Sequence, residues 1–133
     1  MTGDRCTHTL ITGEHFPKPA GPYSPGVSFE RLVFVSGQGA VDPAAGKIAS
    51  ADTEMQTEQV LKNVQAILEA SGSGLDYVLR CGVYLTDISE FKKMNAGYER
   101  MFGCHRPART TVQVAALPVP DMKVEIDVIA YVP

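Results

Sequence analysis

Arg109-Thr110-Thr111-Val112-Gln113-Val114-Ala115-Ala116-Leu117, followed after Pro118-Val119-Pro120-Asp121-Met122 by Lys123-Val124-Glu125-Ile126-Asp127-Val128-Ile129-Ala130-Tyr131-Val132, is the stretch on which the reading of the fold turns. Side chains alternate across a strand, so Val112, Val114 and Ala116 fall on one side of the first run and Arg109, Thr111 and Gln113 on the other. In the second run Val124, Ile126, Val128 and Ala130 alternate with Glu125, Asp127, Ile129 and Tyr131. The turn-rich link predicts an antiparallel pair, and the simple register would bring Arg109, Thr111, Gln113 and Glu125 onto one face. One side of each strand can enter a core. The other mixes Arg, Thr, Gln and Glu with Ile and Tyr, a composition that suits a subunit interface, with open solvent as the alternative.

Outward from there, helical periodicity appears twice. Over residues 53–70, Val60, Leu61, Val64, Ile67 and Leu68 make one apolar stripe, with Met55 a turn earlier. Thr53 and Gln56 have capping-box spacing, Asp52 is a rival N-cap, and Gly72 supplies the stop. A second helix is predicted over 89–102, with Phe91, Met94, Tyr98 and Phe102 on one face, Asn95 beside them, and Gly103 closing it. Further strands are expected at 6–11, 26–30, 32–36 and 77–85, the second and third forming a hairpin about Glu30-Arg31. The order β-β-β-α-β-α-β-β is that of one α+β domain over residues 1–133, two helices covering one face of one sheet.

Composition narrows the functional classes. The 133 residues are 44% hydrophobic and 20% charged, enough for one core and not for two. The apolar runs are too short to span a bilayer and the first residues open no signal-peptide core, so the expectation is a cytoplasmic chain without membrane partners. Three cysteines, Cys6, Cys81 and Cys104, cannot all pair, which suits reduced thiols. The net charge of -3, with scattered Lys and Arg, provides no field for a nucleic-acid backbone. Cys104-His105 and Cys6-Thr7-His8 lack zinc-site spacing, and neither a phosphate-binding glycine loop nor a nucleophile elbow occurs, so no metal or cofactor is expected. Arg109 then stands out: its planar fork can grip a carboxylate through two parallel hydrogen bonds, the alternative being a surface ion pair with Glu125 or Asp127.

Motifs spread along the chain carry a resemblance. Gly21-Pro22-Tyr23-Ser24-Pro25-Gly26, Val35-Ser36-Gly37-Gln38, Asn63, Asn95 with Tyr98 and Phe102, Pro107-Ala108-Arg109-Thr110-Thr111-Val112, Leu117-Pro118 and Val124-Glu125-Ile126 resemble the RidA/YjgF/UK114 proteins in order and spacing from about residue 10 to 132. The resemblance implies a chorismate-mutase-like α+β fold and a homotrimer around a central barrel, with clefts between neighbouring subunits. It also implies the hydrolysis of 2-imino acids or enamines, such as 2-iminopropanoate and 2-iminobutanoate, to 2-oxo acids and ammonia. In that setting Arg109 binds the substrate carboxylate, Tyr23, Ser36 and Asn95 line the cleft, Glu125 positions or activates water, and Thr111 belongs to the same cleft. Asn95 has a structural alternative, its amide being satisfied by backbone. Two departures bear on specificity: Thr111 stands where many deaminase-active relatives have cysteine, and the 103–108 link is shorter than in some members. Alternatives are a specialised catabolic deaminase of an aminomuconate-type compound and a non-catalytic module binding a 2-oxo acid. The acidic balance counts against ribonuclease activity.

Overall fold

Asp52 starts the first helix. In the computed structural model, which describes residues 7–133, helix α1 spans Thr53–Ala70, and the Asp52 carboxylate accepts from the Met55 amide at 2.9 Å. The rival cap therefore wins over the capping box, and Thr53 donates to Glu90 of the next helical segment instead. After Ser71, Gly72 adopts a φ of 86°, a left-handed conformation that costs glycine nothing, and the helix stops. All five residues of the apolar stripe are fully buried. Helix α2 runs over Phe91–Phe102, one 3-10 turn at Ile88–Glu90 replacing the first residues of the expected span, and Gly103 at a φ of 63° closes it. Arg100 ties the two helices together through Glu54 at 2.6 Å and Glu58 at 2.7 Å.

The strands are β1 (Thr9–Ile11), β2 (Gly26–Phe29), β3 (Leu32–Gln38), β4 (Val41–Asp42), β5 (Lys47–Ile48), β6 (Val78–Leu85), β7 (Ala108–Gln113) and β8 (Val124–Tyr131). Six form one mixed sheet in the order β1-β2-β3-β8-β6-β7, and the unanticipated β4 and β5 form a separate two-stranded ribbon. The hairpin about Glu30-Arg31 forms, Phe29 pairing with Leu32. The first strand begins at Thr9, and Cys6 lies outside the described residues. Both helices cover one face, where Val33, Val35, Cys81, Val83, Val124, Ile126 and Val128 join the α1 stripe, Met94 and Phe102 in one core.

The predicted hairpin between the last two strands does not exist. β7 is parallel to β6, while β8 is inserted between β3 and β6 and antiparallel to both. The reason is α2: a helical crossover returns the chain to the start of β6, so the strand that follows runs in the same direction. Its consequence for the faces is large. Arg109 pairs with the core residue Cys81 and Thr111 with Val83, so Arg109, Thr111 and Gln113 are on the helix side. Glu125 pairs with Tyr84 and Asp127 with Gly82, on the other side. The expected common face of Arg109 and Glu125 is thus corrected. As an edge strand at the rim of the helix layer, β7 can turn polar groups inward and leave Val112 41% exposed outward.

The face away from the helices presents Leu10, Phe29, Leu32, Phe34 and Val112, each at least 39% exposed, around Ile129 and Tyr131. No helix among the described residues is long and apolar enough to cross a membrane.

Candidate functional site

Arg109 leaves β7 over the aromatic face of α2. Its guanidinium carbon sits 4.7 Å from the Tyr98 ring centroid and 5.5 Å from that of Phe91, and one nitrogen lies 3.9 Å from the Met94 sulfur. Such stacking holds an arginine plane while leaving its edge N–H groups free. Neither alternative partner reaches it: Glu125 and Asp127 are across the sheet, and among the described residues no carboxylate forms an ion pair with Arg109. Asn95, Tyr98, Glu99, Arg106 and Pro107 complete a hollow of about 280 Å³ around it. Asn95 is half-buried in its lining and makes no backbone hydrogen bond through its side chain among the described residues, so the structural alternative for that amide finds no support there.

Tyr98 Oη and Thr111 Oγ1 are both sealed from solvent without a conventional hydrogen-bond partner. Tyr98 faces the Cys81 thiol, and burial, more than this contact, raises the phenol above its ordinary range. Burial likewise pushes Cys81 up to about 11, which leaves the thiol protonated and a poor nucleophile. His105 is structural. Its Nε2–H donates to the Val78 carbonyl at 2.7 Å and pins the short 103–108 link to β6.

Glu125 opens into a second hollow, shared with Tyr23, Lys18, Gln38, Val119 and Met122. The local cause is a β-bulge: Val35 pairs with Val128 but Gln38 with Ile126, so Ser36 and Gly37 together oppose one residue of β8. At the bulge Gly37 passes directly against the Glu125 side chain, and a Cβ there would lie 2.4 Å from Oε2. Glu125 accepts no hydrogen bond among the described residues. Its carboxyl is raised above the ordinary range, first by burial and then by the charge of Asp127. Ser36 donates its hydroxyl to the Ser24 carbonyl at 2.6 Å and its amide to the Pro25 carbonyl at 2.9 Å, so it ties the Pro-rich loop to β3 behind Tyr23. Tyr23 itself is exposed, its Oη accepting from the Ala20 amide at 3.1 Å.

The six expected site residues therefore divide. Arg109, Asn95 and Thr111 are on one side of the sheet; Tyr23, Ser36 and Glu125 belong to the other. Two ladder steps of ~4.8 Å, about three residues of rise at ~3.3 Å and departure from opposite faces put the guanidinium and the Glu125 carboxylate on the order of 15 Å apart in one chain. A three-carbon substrate cannot touch both. Sequence reasoning missed the support of Arg109 by Tyr98, and Gln38 and Lys18 beside Glu125; the i, i+4 pair Met94–Tyr98 on an apolar helix face was the available signal for the first.

Comparison with known proteins agrees with this architecture. The family model described as Endoribonuclease L-PSP matches residues 13–132. A RutC family protein of Pyrococcus horikoshii is 45% identical over 92% of this chain and 96% of its own length. The 2-iminobutanoate/2-iminopropanoate deaminase of Salmonella typhimurium is 42% identical over 90% of this chain and 94% of its own. Among solved structures, E. coli TdcF with bound serine superposes with a TM-score of 0.87 at 36% identity, covering 92% of this chain and 98% of that one. Matched along almost all of its length in sequence and in fold, the chain belongs to the Endoribonuclease L-PSP family, the RidA/RutC proteins.

Proposed function

We propose that this protein hydrolyses small 2-imino acids, such as 2-iminopropanoate and 2-iminobutanoate, in a cleft between two copies of the chain, one supplying Arg109 and the other Glu125. The observation that carries the reading is an arginine stacked on Tyr98 with its hydrogen-bonding edge unpaired by any carboxylate of the described chain. Such a fork selects a carboxylate. The deaminase name of the Salmonella relative and the serine bound to TdcF support a small amino-acid-like ligand. A contact between two different surfaces is heterologous and closes into a ring when three copies are related by a three-fold rotation, which is the homotrimer that the family resemblance implies. Trimer formation also gives the apolar outer face of the sheet something to bury against.

In this cleft Arg109 fixes the carboxylate, with Asn95 beside it and Tyr23 across. Thr111, two residues along β7, supports the wall beneath the carboxylate. Glu125 takes a proton from water as the water oxygen bonds to C2 of the protonated imine, the C=N π pair moving to nitrogen. The tetrahedral carbinolamine then receives that proton on nitrogen, Glu125 takes the hydroxyl proton as the C–N bond breaks and the 2-oxo group forms, and that proton passes to the departing ammonia, which leaves as ammonium. Holding the carboxylate supplies orientation, and general acid–base help is worth roughly 10²–10⁴-fold. One group must both take and give a proton, which suits a carboxyl raised above its ordinary range.

The test generates 2-iminopropanoate with a dehydratase and follows its decay. Arg109→Ala and Glu125→Gln each lose the acceleration. Mixed oligomers of the two variants regain part of it, because a cleft with Arg109 from one copy and Glu125 from the other is intact. Decay unchanged by the wild-type protein refutes the activity, and inactive mixed oligomers refute the shared cleft.

A further inference from the structure

The two outward carboxylates of β8 are held in opposite ways. Asp127 Oδ1 accepts from the Gly82 amide at 3.1 Å, and Oδ2 accepts from the Tyr84 hydroxyl at 2.9 Å. Glycine is required for that seat: a Cβ at residue 82 would lie 2.6 Å from Oδ1 and 2.7 Å from the Tyr84 oxygen. Glu125, two residues earlier on the same face, lies in the slot left by Gly37 and accepts no hydrogen bond among the described residues. Two donors hold the Asp127 carboxylate in place, whereas the half-buried Glu125 has no hydrogen-bond donor among the described residues.

We propose that Asp127 is a positioning residue for the reaction: seated by Gly82 and Tyr84, it fixes a carboxylate beside Glu125, and this neighbouring charge tunes the exchange of a proton between Glu125 and the reacting water. This rests on the assignment of Glu125 as the proton-transfer group. The other groups facing Glu125 are few. From β6 comes Tyr84, its own phenol raised chiefly by the hydrogen bond to Asp127. The Pro-rich loop brings Tyr23 and Lys18, β3 contributes Gly37 and the neutral Gln38, and Lys123 is two residues back along β8. Arg80 also lies near Tyr84, with its guanidinium donating to Thr110. Asp127 is thus the nearest anion on the same strand face, about 7 Å away by strand rise.

The decisive variant is Asp127→Asn in the full oligomeric protein. Asn keeps the shape and both hydrogen bonds, its oxygen accepting from Gly82 and its amide donating to the Tyr84 oxygen, while the charge is lost. Carboxyl ¹³C NMR follows Glu125 directly, and the pH–rate profile of imine hydrolysis follows its role. The expected result is a downward move of the Glu125 titration by about half a pH unit or more, the amount unit charges at that distance exert even when well screened, with the acid limb of the rate profile moving by the same amount. Asp127→Glu restores the charge and returns both toward wild type. In the wild-type protein, the Glu125 resonance also registers a second step as Asp127 protonates, the signature of a coupled pair. A single-step wild-type titration, or a Glu125 titration unmoved in Asp127→Asn, overturns the coupling. A moved titration with an unmoved rate limb overturns the role in the reaction. A wild-type protein without hydrolase activity defeats the deaminase reading instead, and the NMR arm still decides the coupling.

Discussion

Gly37→Ala isolates the contribution of Glu125 placement from that of Glu125 chemistry. The added methyl would lie 2.4 Å from Oε2, 2.8 Å from Cδ and 3.1 Å from Cγ of Glu125, against 3.4 Å or more for ordinary contact. Gly37 is not at a positive φ, so the backbone accepts alanine and the carboxylate must retreat by ~1 Å. A misplacement of that size in an oriented site costs about 10²-fold in rate. Stability should change little, by less than ~1 kcal/mol, because the obstructed group is the end of a flexible side chain that regains water as it moves. The control is Gly39→Ala on the same chain segment, where the methyl would lie 2.4 Å from Met122 Cε, an adaptable thioether with no proton to transfer. Steady-state hydrolysis of 2-iminopropanoate should show kcat down about 100-fold in Gly37→Ala with KM nearly constant, since Arg109 is untouched, and a far smaller loss in Gly39→Ala. Equal activities in the two variants would refute the placement of Glu125 at the reacting carbon.

Three further outcomes are expected. Arg109→Lys keeps the charge but loses the planar fork and its stacking on Tyr98, so KM for a carboxylate-bearing imine should rise by roughly 10–100-fold, the worth of one charge-assisted hydrogen bond, read from initial rates. Gln56 is 1% exposed and joins three backbone groups, donating to the Ser50 and Asp121 carbonyls and accepting from the Lys123 amide; Gln56→Met should cost about 3 kcal/mol, near 1 for each partly exposed orphan, in urea unfolding at fixed protein concentration. For Glu125, the raised folded value means that the stability it contributes is present below the ordinary carboxyl range and lost as pH rises through the folded value. Glu125→Gln should therefore raise the unfolding midpoint at pH 7.5 and lose that advantage as pH falls below about 4; a midpoint difference independent of pH would contradict the assignment.

Much of the architecture was legible because it is local. The stripe Val60 to Leu68 between Asp52 and Gly72 specifies an 18-residue helix by periodicity and caps, and Phe29-Glu30-Arg31-Leu32 specifies a hairpin by proximity. The motifs that carry the family resemblance depend on order along the chain, which sequence preserves completely. What sequence could not decide was which strand lies beside which. Alternation states that Arg109 and Thr111 share a side, and that Glu125 and Asp127 share a side; it does not say whether those sides are the same. Only the crossover through α2, which makes β7 parallel to β6 and leaves β8 on the other flank, puts the arginine over Tyr98 among the helices and the glutamate in the Gly37 slot on the opposite face. A strand's parity is a local property, whereas its neighbours are chosen by long-range packing, and that choice divides one expected site between the two faces of the sheet.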